Sequence, residues 1–347
     1  MSDRTSRSVD TVILAKACAM VLMVANHSRL SQALFDVPAL YGGLNAMLVI
    51  SGLTMATHAF QHDTRRTLRA FARFGLRLAV PCLAVAAVWD TLMLALGARD
   101  ITLFKYFAEL ALFSNWLSTH KLALFPIWYV QAVVQMLAGL GLLFLLCDLT
   151  PRIRKAPVAV TGALLALALA GALASYASWD TSALEDRLPH LLVWNFVLGW
   201  LIWAVQRGGR TSRGGKLAIT AVLLAAVAMV YLASPANNGV SRAFWMTAIV
   251  LPVIWWHRVS LPRPLVHLVH LIAQSVFAIF MLHFYVFGLI EEPLKHFGLD
   301  QPVVLALLKL AAGLAVPVLC WAWFTAFMRV RRKRTVQRRM EAAPPAP

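Results

Sequence analysis

Two side chains near the start of the chain could do chemistry inside a membrane. Lys16 and His27 lie in an apolar segment, eleven positions apart. In an α-helix that spacing is about three turns, so the two side chains lie roughly 20° from the same face and roughly 16 Å apart along the axis. A lysine within a hydrocarbon-length segment is costly and suggests a functional role, and histidine is well suited to general-base catalysis near neutral pH. The spacing therefore predicts a cation and an imidazole on one stripe of a helix.

Each of these residues also has a structural interpretation. Lys16 lies only a turn or two into the segment and could extend its amine to the cytoplasmic interface. His27 follows Asn26 at the end of the apolar run and could be an interfacial residue. Neither residue supports a function when it is taken alone.

The composition excludes an ordinary soluble domain. The 347 residues are 60% hydrophobic and only 14% charged, with a mean hydropathy of +0.71. Apolar runs of about 20 residues recur along the chain, which is typical of a polytopic α-helical membrane protein. We therefore predict an all-α fold with about ten transmembrane helices. The predicted spans are residues 11–28, 39–60, 75–97, 126–148, 157–176, 189–206, 216–234, 241–257, 272–290 and 302–328.

The spans predict a single integral-membrane domain. Residues 1–339 form this domain, and residues 340–347 form a short Ala- and Pro-rich tail that we expect to be disordered. An amphipathic stretch over residues 101–125 is expected at the outer interface, or dipping into the protein without crossing. The first apolar run lacks the features of a cleaved signal peptide, so we expect it to remain as an anchor.

The charge of +17 is concentrated in alternate loops between the spans. In a ten-span arrangement these basic loops and both terminal segments share one side, and the positive-inside rule places them, with both termini, in the cytoplasm. Lys16 then lies toward the cytoplasm and His27 toward the outer face. This placement indicates a lipid bilayer and not nucleic acid as the partner of the basic residues. The four cysteines form no C-x-x-C pair and imply no disulfide framework or metal site.

A row of arginines precedes the third span. Its members, three to four residues apart on one helical face, are Arg66, Arg69, Arg73 and Arg77. They could be a cytoplasmic flank that contacts anionic lipid. They could also bind phosphate, because arginine makes bidentate contacts with phosphate oxygens.

Other polar residues fall within predicted spans. Gln131 and Gln135 are one turn apart and are candidates to line a polar cavity, whereas Trp128, near the predicted outer interface, could be a membrane anchor. Asp90 could orient an imidazole such as His27, or it could pair with Lys309. Further candidates for the cavity or for contacts with an acceptor are His283, Asn26, Asn45 and Arg242.

These segments together resemble the membrane-bound acyltransferase family 3. The family pattern has a basic residue, ten intervening residues and a histidine, followed by a run similar to G-V-D-L-F-F-V-L-S-G-F. Residues 43–53 read GLNAMLVISGL, with Asn45 where Asp is common and Ser51 retained. The R-x-x-x-P spacing at residues 77–81, the aromatic pair at 128–129 and the segment SVFAIFMLHFYV at 275–286 are also similar to family segments.

The resemblance implies an O-acyltransferase that takes an acyl group, most commonly acetyl, from cytoplasmic acetyl-CoA or another acyl-CoA. The acceptor would be a hydroxyl of a cell-surface or extracytoplasmic carbohydrate or of another glycosylated compound. The protein would be located in the cytoplasmic membrane of a bacterium. His27 would act as general base or as a transiently acylated nucleophile, and Lys16 would contact the donor or stabilise the charge of the site. Asp90 stays a candidate catalytic residue on its own chemistry, with its two alternatives open. The donor would contact Ser51 and the four arginines, and no metal is implied.

Two other classes of function remain open from the sequence. A secondary transporter or flippase could use Lys16, His27, Asp90 and Lys309 as an ion pathway, although the two halves of the chain show no paired repeats with interrupted helices. A membrane scaffold would leave these charges unexplained. The sequence leaves the acceptor, the acyl chain length and the oligomeric state open.

Overall fold

Over the residues that the structure describes, the protein consists of α-helices and one small β-ribbon. The computed structural model describes residues 6–36, 39–96, 102–117, 127–178, 187–207, 211–234 and 238–341. Over these residues the helices are α1 Thr11–His27, α2 Leu30–Phe35, α3 Gly43–Ala59, α4 Thr64–Ala95, α5 Leu103–Leu110, α6 Ile127–Cys147, α7 Leu149–Lys155, α8 Pro157–Ser178, α9 Pro189–Gln206, α10 Arg213–Ala233, α11 Gly239–Trp255, α12 Arg263–Gln274, α13 Val276–His296 and α14 Pro302–Glu341. The strands are β1 Ser6–Asp10 and β2 Arg258–Pro262.

The helices confirm the all-α polytopic class. In the described chain, seven helices are long and apolar enough to cross a membrane: α4, α6, α8, α9, α10, α13 and α14. α1, α3 and α11 are shorter, at 17 residues each, and they overlap the remaining three predicted spans. Crossing by all ten helices and the cytoplasmic location of both termini stay predictions.

Several predicted boundaries were wrong. α4 begins at Thr64, where the side chain of Asp63 accepts a hydrogen bond from the Arg66 amide, so the arginine row is helical and continuous with the span. The helix α14 continues to Glu341, well beyond the predicted end at 328, which makes residues 340 and 341 helical. The rest of the predicted disordered tail, residues 342–347, lies outside the described residues.

The predicted ninth span is also divided differently. α12 is a separate amphipathic helix that ends before Ser275, and α13 begins at Val276. In the amphipathic stretch at 101–125, the described part forms α5 and a 3₁₀ turn at Ser114–Trp116, with Phe104 and Phe107 exposed and Glu109 buried. Residues 101 and 118–125 of that stretch lie outside the described residues.

The β-ribbon fixes the start of α1. β1 pairs antiparallel with β2, with Val9 opposite Val259. Asp10 caps α1 by accepting a hydrogen bond from the Val12 amide at 2.7 Å, and the Thr11 hydroxyl donates to the carbonyl of Trp256 at 2.6 Å. The N-terminal segment, which the sequence presented only as a polar start, therefore anchors the helix that carries Lys16 and His27.

Close helix contacts set the position of α3. A Cβ atom on Gly52 would lie 2.0 Å from the carbonyl oxygen of Phe196 in α9, and one on Gly199 would lie 2.1 Å from the carbonyl oxygen of Val49. Small residues permit such backbone contacts between membrane helices. Gly43 makes a similar approach to Ala19 of α1, where an added Cβ would lie 2.5 Å from a carbonyl oxygen. The glycines of the GLNAMLVISGL run thus hold α3 between α1 and α9.

Candidate active site

A cavity of about 260 Å³ lies where the end of α1 meets the start of α3. Helices α6, α9, α11 and α13 complete its wall. We call it the His27 cavity. Of the residues singled out in the sequence, it is lined by Asn26, His27, Asn45, Trp128, Arg242 and His283. The structure therefore brings together residues from four widely separated stretches of the chain.

His27 and His283 form a hydrogen-bonded pair at this cavity. The Nδ1 atom of His27 lies 2.9 Å from the Nε2 atom of His283, and the two rings are nearly parallel, with an interplanar angle of 8°. The Nδ1 atom of His283 lies 2.8 Å from the carbonyl oxygen of Ile279. His283 is fully buried, and Phe284 packs against both rings.

The backbone contact fixes the tautomers of the neutral pair. A carbonyl oxygen only accepts, so the Nδ1–H of His283 donates to Ile279 and its Nε2 is an acceptor. His27 must then donate its Nδ1–H to that acceptor, which leaves the proton off its own Nε2 atom. The arrangement prepares Nε2 of His27 to take a proton. When it does, His283 still accepts from Nδ1 and stabilises the imidazolium.

Asp90 does not occupy the role that the sequence suggested for it. Its carboxyl group is buried near Glu109, whereas His283 contacts the Nδ1 atom of His27. Lys309, the other partner suggested for Asp90, forms an ion pair with Glu291. Among the described residues, Asp90 is not part of the wall of the His27 cavity.

The two glutamines also lie elsewhere. Gln131 accepts hydrogen bonds from the Ser114 hydroxyl at 3.0 Å and from the Asn115 amide at 2.8 Å. Gln135 exchanges hydrogen bonds with the Asn115 side chain and accepts one from the Trp116 indole. Both amides are thus satisfied by the 3₁₀ turn that follows α5. They hold that turn against α6 instead of lining the described part of the cavity.

A second cavity, of about 370 Å³, lies at the other end of α1 and α3. We call it the Lys16 cavity. Its described wall is formed by Lys16, Ser51, Thr54, Met55, His58, Ala70, Arg73, Phe74 and Arg77. The predicted donor-binding residues therefore divide into two groups. Lys16, Ser51, Arg73 and Arg77 share this cavity, while Arg66 and Arg69 are exposed on α4 outside its described wall.

Among the cavity residues that the sequence analysis did not single out, three carry titratable side chains. His58 lies seven residues after Ser51 and so on the same face of α3, a periodicity that the sequence does contain. Arg187 lines the His27 cavity with its guanidinium 5.9 Å from the ring centre of Trp128. Tyr41 also lines this cavity, with its ring centre 5.7 Å from the guanidinium of Arg242. Nothing in the spacing of Arg187 or Tyr41 indicates these contacts.

Comparison with known proteins identifies the family. The family described as "Acyltransferase domain", acyltransferase family 3, matches residues 9–322, which include both cavities. No curated protein and no solved structure matches the chain. The family and the apolar helices together make this a multi-pass membrane protein. The matched region covers most of the chain, and the protein therefore belongs to the membrane acyltransferases of family 3.

Proposed function

We propose that the protein transfers an acyl group, acetyl in the simplest case, from a cytoplasmic acyl-CoA to a hydroxyl group of an extracytoplasmic carbohydrate. One observation carries this proposal: the same two helices, α1 and α3, line a cationic cavity at one end and, at the other, the cavity that holds the pair of His27 with His283 of α13. The reacting groups of a donor and an acceptor that enter from opposite sides would meet along these helices.

The Lys16 cavity is suited to the phosphate groups of the donor. Arg73 and Arg77 lie one turn apart on α4 and face Lys16 across the cavity. Guanidinium groups bind phosphate oxygens bidentately, and a lysine adds a compact positive charge. The rise of an α-helix puts Lys16 and His27 roughly 16 Å apart, a distance that the extended pantetheine arm of coenzyme A would cross.

The proposed chemistry uses the tautomer that the histidine pair sets. Nε2 of His27 removes the proton of the acceptor hydroxyl while the oxygen attacks the thioester carbonyl. The tetrahedral intermediate collapses with cleavage of the carbon–sulfur bond, and the proton on His27 passes to the sulfur. The products are an O-acyl ester and free coenzyme A, with no proton gained or lost overall.

A second route places the acyl group on the enzyme first. Nε2 of His27 attacks the thioester, the carbon–sulfur bond breaks and coenzyme A leaves as the thiolate. The acceptor hydroxyl then takes the acyl group from the imidazole, and its proton passes to the thiolate. Mass spectrometry of the protein after incubation with acetyl-CoA alone separates the two routes. An acetyl group on the peptide that contains His27 supports the nucleophilic route, and an unmodified peptide supports the general-base route.

The wall of the His27 cavity is suited to a carbohydrate. Asn26 and Asn45 offer amide donors and acceptors for hydroxyl groups, and Trp128 offers an aromatic surface. We infer that the acceptor is a cell-surface polysaccharide, a glycolipid or another glycosylated compound, reached at the outer side of a bacterial cytoplasmic membrane.

The transporter hypothesis requires a continuous path of ionisable groups. Lys309 is paired with Glu291, and Asp90 lies against Glu109. Neither contact links these residues to the Lys16 or the His27 cavity. This arrangement supports the enzyme in preference to the ion pathway.

Release of coenzyme A tests the proposal. The purified protein in detergent is incubated with acetyl-CoA and a panel of sugar acceptors, and free thiol is measured for the wild type and for His27→Ala. We expect acceptor-dependent release by the wild type and its loss in the variant. A rise in thermal midpoint with acetyl-CoA in both proteins shows that the donor still binds, as a ligand of the native state must. If none of the acyl-CoA donors tested binds to the protein or is turned over by it, the proposal is contradicted.

A further inference from the structure

A buried methionine separates the two cavities along α1. Lys16 borders the Lys16 cavity, whereas Met23 and His27 border the His27 cavity. Met20 lies between them, and positions 16, 20, 23 and 27 are three to four residues apart, so their side chains share one face of α1. Met20 is only 1% exposed and belongs to neither described cavity wall. Along this face, Met20 therefore occupies the gap between the cavities.

The same arrangement occurs on α3. Leu44 borders the His27 cavity, and Ser51 and Met55 border the Lys16 cavity. Leu48 lies between them on the same face, is also 1% exposed and belongs to neither described wall. The described walls of the two cavities have no residue in common. From Leu44 to Ser51 the helix rises about 10 Å, so the closed segment is short.

A buried apolar cluster continues this closure on the neighbouring helices. Met20 belongs to it, together with Cys82 of α4 and Phe280 of α13. Phe280 also borders the His27 cavity. Cys82 follows Arg77 by five residues on α4, and Arg77 borders the Lys16 cavity. The cluster therefore extends from one cavity toward the other.

The closing side chains differ in how readily they can move. α3 is held by the backbone contacts of its glycines with α1 and α9, and Leu48 is a branched side chain on that fixed helix. Methionine is unbranched and has three rotatable bonds, so it adapts to changes in its surroundings. The buried cluster contains three methionines, Met20, Met23 and Met281. A rotamer change of Met20 would widen the gap without moving the backbone of either helix.

We propose that Met20 is a gate between the two cavities, which is closed in this structure and opens when the pantetheine arm of acyl-CoA extends from the Lys16 cavity to His27. That this arm crosses here rests on the acyltransferase function proposed above. The arm is narrow and uncharged, so movement of a side chain is enough to admit it. The charged nucleotide of the donor stays in the Lys16 cavity.

Binding of two ligands tests the gate without turnover. Adenosine 3′,5′-diphosphate carries phosphate groups of the donor but lacks the arm, so it binds without opening the gate. Acetyl-CoA must open the gate to bind completely. The Kd of each ligand is measured by isothermal titration calorimetry on the full-length protein, purified in detergent.

Two substitutions of Met20 are expected to change the binding of acetyl-CoA in opposite directions. Met20→Ala removes the closing side chain, and we expect binding to become about tenfold tighter, because an open state populated at about 10% weakens wild-type binding by that factor. Met20→Ile has a similar volume but is stiff at χ1, so it should hold the gate closed and weaken binding. Neither should change the Kd of adenosine 3′,5′-diphosphate. If Met20→Ala does not fold, Met20→Ile still tests the gate, because substitutions that conserve volume are tolerated best.

Met136 of α6 provides the matched control. It is 4% exposed, belongs to a different buried cluster and lies in neither described cavity wall. Met136→Ala and Met136→Ile should leave both Kd values unchanged.

The outcomes separate this inference from the proposed function. Opposite changes in the Kd of acetyl-CoA, with a constant Kd of adenosine 3′,5′-diphosphate, support the gate. If the wild type then transfers no acyl group to any acceptor, the gate is kept and the proposed reaction is contradicted. Acyl transfer by the wild type would leave the enzyme in place and overturn the gate if the Met20 variants leave the Kd of acetyl-CoA unchanged, change it in the same direction, or affect both ligands equally.

Discussion

The two ends of α1 and α3 differ in how their side chains are held. At one end, His283 is fully buried and its ring is fixed by hydrogen bonds of 2.8 and 2.9 Å to Ile279 and His27. At the other end, Arg73 and Arg77 are exposed residues that border a cavity. At the first end, hydrogen bonds fix the positions of the histidine rings. At the second end, the shared feature is the positive charge of exposed side chains.

This difference predicts which kinetic constant each end controls. A substitution in the histidine pair disturbs atoms that must align in the transition state, so it lowers kcat. A substitution among the exposed cations removes attraction that the bound donor and the transition state share, so it raises KM for acyl-CoA.

The largest effect is expected for His27→Ala. General acid–base catalysis by a positioned side chain contributes about 10²- to 10⁴-fold, and we expect a loss of kcat in that range. Steady-state thiol release at saturating acetyl-CoA measures it. An unchanged kcat would leave the family assignment in place and remove His27 from the mechanism.

A smaller loss of kcat is expected for His283, which acts through His27. His283→Phe keeps a ring in the buried space but removes the acceptor for His27 Nδ1–H, and we expect a loss of about 10- to 100-fold, the range typical when the partner that orients a metal-bound imidazole is removed. His283→Gln offers an amide oxygen to the same proton and should recover part of the rate.

The pH dependence of kcat distinguishes this positioning role from a packing role. Without its acceptor, the protonated form of His27 loses stabilisation. The part of the kcat–pH profile that reflects protonation of His27 should therefore shift along the pH axis in His283→Phe and return to its wild-type position in His283→Gln. Equal losses in both variants with an unshifted profile would indicate packing alone.

The arginine row offers a matched pair on one helix. Arg73 borders the Lys16 cavity, whereas Arg66 is exposed outside its described wall. We expect Arg73→Gln to raise KM for acetyl-CoA about tenfold, the size of one charge-assisted contact, and Arg66→Gln to leave it unchanged. A similar increase in both variants would mean that the row acts through its summed charge, and that the cavity does not select the residues that bind.

The smallest effect on catalysis is expected at the close contact between α3 and α9, because α3 lines both cavities. Gly52→Ala would force α3 away from α9, and overpacking of this kind typically costs about 1–3 kcal/mol. The thermal midpoint should fall, with modest losses at both ends of the site. Gly139→Ala on α6 is the control, because an added Cβ there meets no atom within 4 Å. An equal change in both variants would contradict the role of close packing.

Local periodicity explains what the sequence could predict. The spacing of Lys16 and His27 was interpreted as one stripe of a helix, and α1 carries both residues to cavities at its two ends. The apolar runs located ten helices, seven of them long enough to cross a membrane, because each is hydrophobic over many turns. Ends of helices were less well predicted, as for α4, because arginines are compatible with both a loop and a helix.

Contacts between segments that are far apart in the chain could not be predicted from local periodicity. His27 and His283 are 256 positions apart, and no feature of either segment specifies that their rings meet. The sequence offers Asp90 either His27 or Lys309 as a partner, because a carboxylate can orient an imidazole or pair with a lysine, whereas in the structure Asp90 lies near Glu109. Gln131 and Gln135 were expected to line a cavity because buried amides need partners, and the 3₁₀ turn supplies those partners.

The most direct test of the account follows transfer of a radiolabelled acetyl group in a single turnover, with donor affinity measured on the same protein samples. His27→Ala should keep the wild-type Kd for acetyl-CoA and lose the transfer rate. The double variant Arg73→Gln/Arg77→Gln should lose affinity and keep the wild-type rate once it is saturated with donor. If His27→Ala loses donor affinity, or if the double variant transfers slowly at saturation, the two cavities do not have the separate roles that the structure indicates.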